Sequence, residues 1–117
     1  MRRSGPRGED TAARFLEERG FRIVARNWRA GKAGEIDIVA RDGGALVIVE
    51  VKTATGVGFG EPLSWVTPRK LRQLAALAEL FVSQTTETFE CVRFDVVAIR
   101  AGKGRPQITH LRDAFRP

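Results

Sequence analysis

The sequence predicts one α/β domain over residues 1–117, a mixed five-stranded sheet with flanking helices in the order α-β-β-β-α-β-β. Three observations carry that reading. Segments 8–20 and 67–84 repeat apolar residues at helical spacing. Five shorter segments are rich in β-branched or alternating apolar residues and are bounded by Gly, Asp or Pro. The chain, at 117 residues, suits a single modest core and has no linker long enough to divide it.

The elements follow in order. "GEDTAARFLEERG" reads as a helix with Ala12, Phe15, Leu16 and Arg19 at helical spacing, and Gly20 as its stop. "FRIVARNWR" reads as a strand in which Phe21, Ile23 and Ala25 alternate with Arg22, Val24 and Arg26. "GEIDIVARDGG" is a second strand closed by a tight hairpin turn, and "ALVIVEVKT" is the third. "TPRKLRQLAALAELFVSQ" is the clearest helix. Thr67 suits its N-cap and Pro68 its first position, and Leu71, Leu74, Leu77 or Ala78, and Phe81 make one apolar stripe. "CVRFDVVAIR" and "QITHLRD" supply two more strands around a "GKGRP" turn.

Composition excludes several classes. Cys91 is the single cysteine, so the chain makes no internal disulfide and no cysteine zinc site. His110 is the single histidine, which removes most His-rich metal sites. The basic start lacks an apolar h-region, and no run approaches a membrane span. A cytoplasmic protein with no membrane partner is therefore expected. The net charge of +6 is uneven. Residues 1–30 hold eight arginines against four acids, and residues 91–117 hold six basic residues against two acids. Residues 31–90 carry six basic against eight acidic residues. Basic ends around an acidic middle suit a polyanion lying over a carboxylate site; a solvated basic surface is the alternative.

The third strand raises the chemical question. It opens as Leu46-Val47-Ile48-Val49 and then carries Glu50 and Lys52. Alternation places Leu46, Ile48, Glu50 and Lys52 on one face and Val47, Val49 and Val51 on the other, so the strand reads as central and covered on both sides. Glu50 and Lys52 stand roughly 6.6 Å apart at about 3.3 Å per residue. On the preceding strand, Glu35 and Asp37 share one face and Ile36 and Ile38 the other. The short hairpin lets Asp37 approach Glu50. Two such carboxylates repel, and each is costly if buried without a partner. A divalent cation resolves the conflict, since Mg²⁺ takes carboxylate oxygens, a backbone carbonyl and water. A strand-end salt bridge between Lys52 and either carboxylate is the alternative.

Asp37 followed by Glu50-Val51-Lys52 resembles the PD-(D/E)XK nuclease superfamily, whose restriction-endonuclease-like core runs helix, three-stranded meander, helix, strand. Longer stretches are more specific. "GED-AARFLEERGFRIVARNWR", "GEIDIVARDG", "VIVEVK", "FGEP…VTPRK", "RFDVVAI" and "ITHLRDAF" resemble the YraN-like bacterial family from Gly8 to Phe115. That family is similar to archaeal Holliday junction resolvases. The resemblance implies a metal-dependent endonuclease hydrolysing phosphodiester bonds in DNA, with branched or structured DNA as substrate and Mg or Mn as cofactor. It implies that Asp37, Glu50 and the Val51 carbonyl hold the metal, that Glu9 completes the site and that Lys52 is the catalytic lysine. The archaeal relatives imply a homodimer. Thr53-Ala54-Thr55 departs from the basic residues that often follow this lysine, so a phosphate contact has to come from elsewhere.

Arg69 and Lys70, in the first turn of the second helix, are candidate phosphate contacts, as are Arg26 and Arg93. Arg93 and Asp95 alternate along the fourth strand as a pair expected to face the site. "GVGFG", residues 56–60, reads as a loop beside the site and lacks a P-loop lysine; Phe59 at its tip is a stacking residue or a core anchor. Trp28 and Trp65 read as packing residues, Cys91 as buried and His110 as a surface or edge residue. Two rival functions stay open: a non-catalytic nucleic-acid-binding module of nuclease fold, and a scaffold for repair proteins.

Overall fold

The computed structural model describes residues 2–3, 6–55, 60–102 and 104–117, with residues 2, 3, 6 and 7 described by their backbone. The elements are β1 (Arg2–Arg3), α1 (Pro6–Glu18), β2 (Arg22–Arg29), β3 (Glu35–Asp42), β4 (Ala45–Thr55), α2 (Pro68–Gln84), β5 (Cys91–Ala101) and β6 (Gln107–Leu111). Short 3-10 turns at Gly31–Ala33 and Pro62–Trp65 precede β3 and α2. The five expected strands form one sheet in the order β2-β3-β4-β5-β6. β4 and β5 are parallel, and the other neighbours are antiparallel. A parallel pair needs a crossover, and α2 is its helix.

Local chemistry sets the ends. α1 stops at Gly20, whose φ of 89° lies in the left-handed region, and the Phe21 N–H donates to the Leu16 carbonyl at 3.0 Å. The Lys70 N–H donates to Thr67 Oγ1 at 3.1 Å, and Pro68 opens α2. Gly43 and Gly44 form the two-residue turn between the paired residues Asp42 and Ala45.

Two apolar clusters flank the sheet. Ala12, Ala13 and Leu16 of α1 pack on Val47, Val49 and Val51 of β4, with Val97 and Ile99 of β5. Leu74, Leu77, Ala78 and Phe81 of α2 pack on Leu46 and Ile48, with Phe94. β4 is thus covered on both faces with the expected alternation. Trp28 meets Phe81 edge-on at 5.3 Å, and Trp65 is buried with Ala54 and Ala98. Among the described residues, no helix is long and apolar enough to cross a membrane.

Several expectations change. The sheet has a sixth strand: β1 pairs with β4 at Arg3–Lys52 and Arg2–Thr53. A bulge between Ile23 and Ala25 breaks the alternation of β2. Ile23 packs on the α1 side, whereas Ala25 joins Val24 and Trp28 on the α2 side. Ile36 and Ile38 also separate, into the α2 and α1 clusters. The ladder between β3 and β4 begins at Ile38–Val49, while the ladder with β2 reaches Glu35, so the start of β3 no longer follows the pleat it shares with β4. Cys91 is exposed at the first position of β5. The His110 side chain is only 7% exposed, because Phe15 and Phe21 meet its ring edge-on at 6.0 and 5.5 Å.

Candidate active site

The place where β3 and β4 part is the place where the charges gather. A cleft of about 180 Å³ opens there, lined by Arg29, Glu35, Asp37, Glu50, Lys52, Lys70 and Gln73, with Gly34 at its side. Asp37 is buried and its Oδ2 accepts from the Val51 N–H at 2.8 Å. That bond spans the gap between the separating strands. In an antiparallel ladder a residue's N–H and C=O face the same neighbour, so the Val51 carbonyl lies on Asp37's side as well.

Glu50 is 2% exposed. Lys52 Nζ stands 3.4 Å from its Oε2, and Lys70 Nζ stands 4.0 Å from its Oε1. Yet Glu50 Oε1 is buried with no hydrogen-bond partner among the described residues. An oxygen left in that condition is destabilising by about 1–3 kcal/mol, more when charged. Burial, followed by the adjacent Glu50 carboxylate, pushes the Asp37 carboxyl up to about 7 against the opposing Val51 N–H and Lys70.

Glu9 reaches the same place from the first turn of α1. Single carboxylate oxygens of Glu9, Glu35 and Asp37 lie within 4.8 Å of one another, and all three residues are buried. The Asn27 amide spans this group, donating to both oxygens of Glu9 and, at 3.0 Å, to Glu35 Oε1. Asn27 holds φ at 52°, which a non-glycine residue adopts at some strain. Burial raises the Glu9 carboxyl above its ordinary value, with Asp37 and Glu35 adding to it and Asn27 and Arg26 opposing.

Gly34 fixes the entry to β3. Its φ is 120°, and a Cβ there would come within 2.4 Å of Gln73 Nε2. With that space open, Gln73 of α2 donates to the Ala33 carbonyl at 3.0 Å. The close approach holds α2, with Lys70, against the strand that carries Glu35 and Asp37.

Four buried carboxylates at the cleft, one of them with an oxygen that lacks a hydrogen bond, form a donor set that fits a hard divalent cation, and two ammonium groups stand beside it. Glu9, Asp37, Glu50 and Lys52 are brought together, and Lys70 joins them. Arg69 is exposed beside the cleft and has no ion pair among the described residues. Arg26 pairs with Asp10 at 2.5 Å on the outer side of α1. Arg93 and Asp95 do pair, at 2.9 Å, but away from the cleft. They alternate with Phe94, which packs under α2, so they face the α1 side, where Arg93 also holds Asp42 at 3.0 Å. Phe59 and the rest of 56–59 lie outside the described residues.

Glu35, Asn27, Arg29 and Gln73 were not among the residues expected to form the site. For Glu35 a signal existed, since "GEID" puts it two residues before Asp37 and on the same face. Asn27 and Arg29 sit in an arginine-rich edge strand where nothing in the pattern sets them apart from Arg22 or Arg26, and Gln73 sits in an ordinary helical pattern.

Comparison with known proteins agrees over nearly the whole chain. The description "Uncharacterised protein family UPF0102" matches residues 8–99. A UPF0102 protein of Rhodococcus opacus is 49% identical over 112 residues, covering 95% of this chain and 94% of the relative. One from Acidothermus cellulolyticus is 51% identical, over 92% and 89% of the two chains. One from Symbiobacterium thermophilum is 46% identical, over 97% of each. These are the relatives expected from the YraN-like motifs. The chain belongs to the uncharacterised protein family UPF0102.

Proposed function

We propose that the protein is a cytoplasmic, Mg²⁺- or Mn²⁺-dependent endonuclease that hydrolyses phosphodiester bonds in DNA, with branched or structured DNA as its substrate. The observation that supports this most is the bare buried Oε1 of Glu50, beside Asp37 and between two lysines. A purely structural ion pair has no reason to leave that oxygen without a hydrogen bond.

Asp37, Glu50 and the Val51 carbonyl hold the cation, with Glu9 and Glu35 within reach. The cation supplies Lewis acidity and lowers the pKa of water when bound. In the reaction a water oxygen joins phosphorus, the bond to the leaving sugar oxygen breaks, and that oxygen takes up a proton. The Lys52 ammonium, one pleat beyond Glu50, stabilises negative charge developing on the phosphoryl oxygens. Lys70, in the first turn of α2, adds a second positive charge at a helix end that already favours anions. A homodimer on a branched substrate is carried by fold analogy.

The test is a cleavage screen on branched, flapped, single-stranded and duplex DNA with Mg²⁺ and with Mn²⁺, alongside Asp37→Asn. Cleavage by the wild type that Asp37→Asn abolishes supports the reading. Salt-sensitive binding without turnover on any substrate, with no thermal shift from either cation, replaces it by a non-catalytic nucleic-acid-binding module.

A further inference from the structure

The cleft contains a third cation whose position differs from that of the two lysines. Lys52 and Lys70 both point at Glu50. Arg29 instead approaches Glu35, with Nη2 at 2.9 Å from Oε2, while its own side chain is 68% exposed. Glu35 is buried and is also held by Asn27 at 3.0 Å. A fixed carboxylate thus steadies one edge of a guanidinium that lines the cleft at its solvent side. Five N–H donors belong to that group, and Glu35 engages one edge of it.

Strand register places Arg29 with respect to the chemistry. Arg29 pairs with Glu35 across β2 and β3. Ile38 is the first residue of β3 paired with β4, opposite Val49, and past that point Lys52 pairs with Arg3 of β1. Arg29 of β2 and Lys52 of β4 line the same cleft, on the two strands that flank β3 in the sheet order.

We infer that Arg29, aimed by Glu35, is the strand-gripping residue of this cleft: it binds a backbone phosphate next to the one at Lys52. The inference rests on the nuclease reading and adds to it a contact on β2 at a residue the sequence did not single out. It also supplies a phosphate contact of the kind that the uncharged Thr53-Ala54-Thr55 segment lacks. Guanidinium suits the task because it meets phosphate oxygens in pairs and binds water less tightly than ammonium. Arg26, three residues earlier on β2 and tied to Asp10, is the comparison residue.

The test uses the full chain and a fluorescent flapped duplex, titrated by anisotropy at several salt concentrations with Ca²⁺ as the divalent cation. Arg29→Gln keeps an N–H donor for Glu35 and removes the charge, and a thermal melt checks its fold. The log–log salt slope should shrink by about 0.9, the share of one phosphate contact on duplex DNA. In cleavage, KM should rise about tenfold or more, as for loss of one charge-assisted hydrogen bond, with kcat within about twofold. Arg29→Lys should restore the slope but only part of the affinity. An Arg29→Gln protein that melts like wild type with unchanged slope and KM overturns the inference and leaves the nuclease reading standing. A wild type with no salt-dependent DNA binding overturns both.

Discussion

Two regions of one sheet bury carboxylates and treat them in opposite ways. Asp95 of β5 is 0% exposed and receives donors on every side. Arg93 donates Nε at 2.9 Å and Nη2 at 3.0 Å, His110 Nε2 stands at 2.8 Å, and the Asp113 N–H donates at 3.0 Å. Burial by itself would raise this carboxyl, but the donors from His110, Arg93 and Asp113 hold it below its ordinary value. At the parting of β3 and β4 the same burial is answered only in part, though Lys52 and Lys70 stand 3.4 and 4.0 Å from Glu50. Asp37 has the Val51 N–H, Glu50 keeps a bare oxygen, and the Asp37 carboxyl rises to about 7. A saturated carboxylate ties β5 to β6 and to the chain after it. An underserved one is, under the proposed reading, where a cation would sit. Burial alone therefore does not mark a site; burial with unmet demand does.

The sharpest way to break that contrast is by removing each acid. Asp95→Ala breaks a buried ion pair, leaves Arg93 with Asp42 alone and takes the partner from His110 and the Asp113 N–H, and should lose about 3–5 kcal/mol of stability in a urea titration. Glu50→Gln removes a repulsive, underserved charge and should melt at or above the wild-type temperature without added cation. The reverse pattern would mean that Glu50, not Asp95, is the structural anchor. Next in size is Lys52→Ala, for which cleavage should fall about 10²–10³-fold, equivalent to roughly 2.7–4 kcal/mol, with the fold intact. If Lys52 instead serves only as Glu50's ion-pair partner, the melt weakens and no activity is lost.

Cation linkage comes third. At a hundredfold excess over Kd, Mg²⁺ should stabilise the wild type by about 2.7 kcal/mol. Calorimetric scans should show the shift vanish in Asp37→Asn and persist in Arg26→Ala. Equal shifts in all three proteins would detach the cation from the cleft. The smallest effect is in pH. The folded carboxyl of Asp37 titrates at about 7, above its ordinary 3.8. The folded state then holds the extra proton, so its contribution to stability is fully present below 3.8 and is lost as pH rises through about 7. Asp95, lowered, behaves oppositely: its contribution is present above its ordinary value and lost in acid. Metal-free wild type should therefore gain stability from pH 8 to pH 6 relative to Asp37→Asn, by denaturant titration. Parallel pH profiles for the two proteins would count against the raised Asp37 carboxyl.

The sequence carried the faces of β4 because that strand is central and covered on both sides, so hydropathy and pleat tell the same story. Glu50 and Lys52 stood out by interrupting it, and the hairpin brought Asp37 alongside. Reading failed where geometry departs from the pleat. One extra residue between Ile23 and Ala25 changes which face follows, and the parting at Ile38 separates Ile36 from its expected partner. Residue type says nothing of either. The enclosure of His110 needs Phe15 and Phe21, far away in sequence, and the exposure of Cys91 follows from its place at the very start of β5. Asn27 and Arg29 gain meaning only once Glu9 and Glu35 are beside them in space.

The bond from the Val51 N–H to Asp37 Oδ2, at 2.8 Å, gives the cleft its own spectroscopic probe. Most strand amides donate to backbone carbonyls, whose charge does not change with solution conditions. This one donates to a group that gains or loses a full charge near neutrality. In a nitrogen–proton correlation spectrum, the Val51 cross-peak should trace the state of the carboxylate directly. Protonation should weaken the acceptor and move the amide proton upfield, and ligation should move it along a different line. A single backbone resonance, with no label placed in the cleft, thus separates an empty acid, a protonated acid and an occupied one.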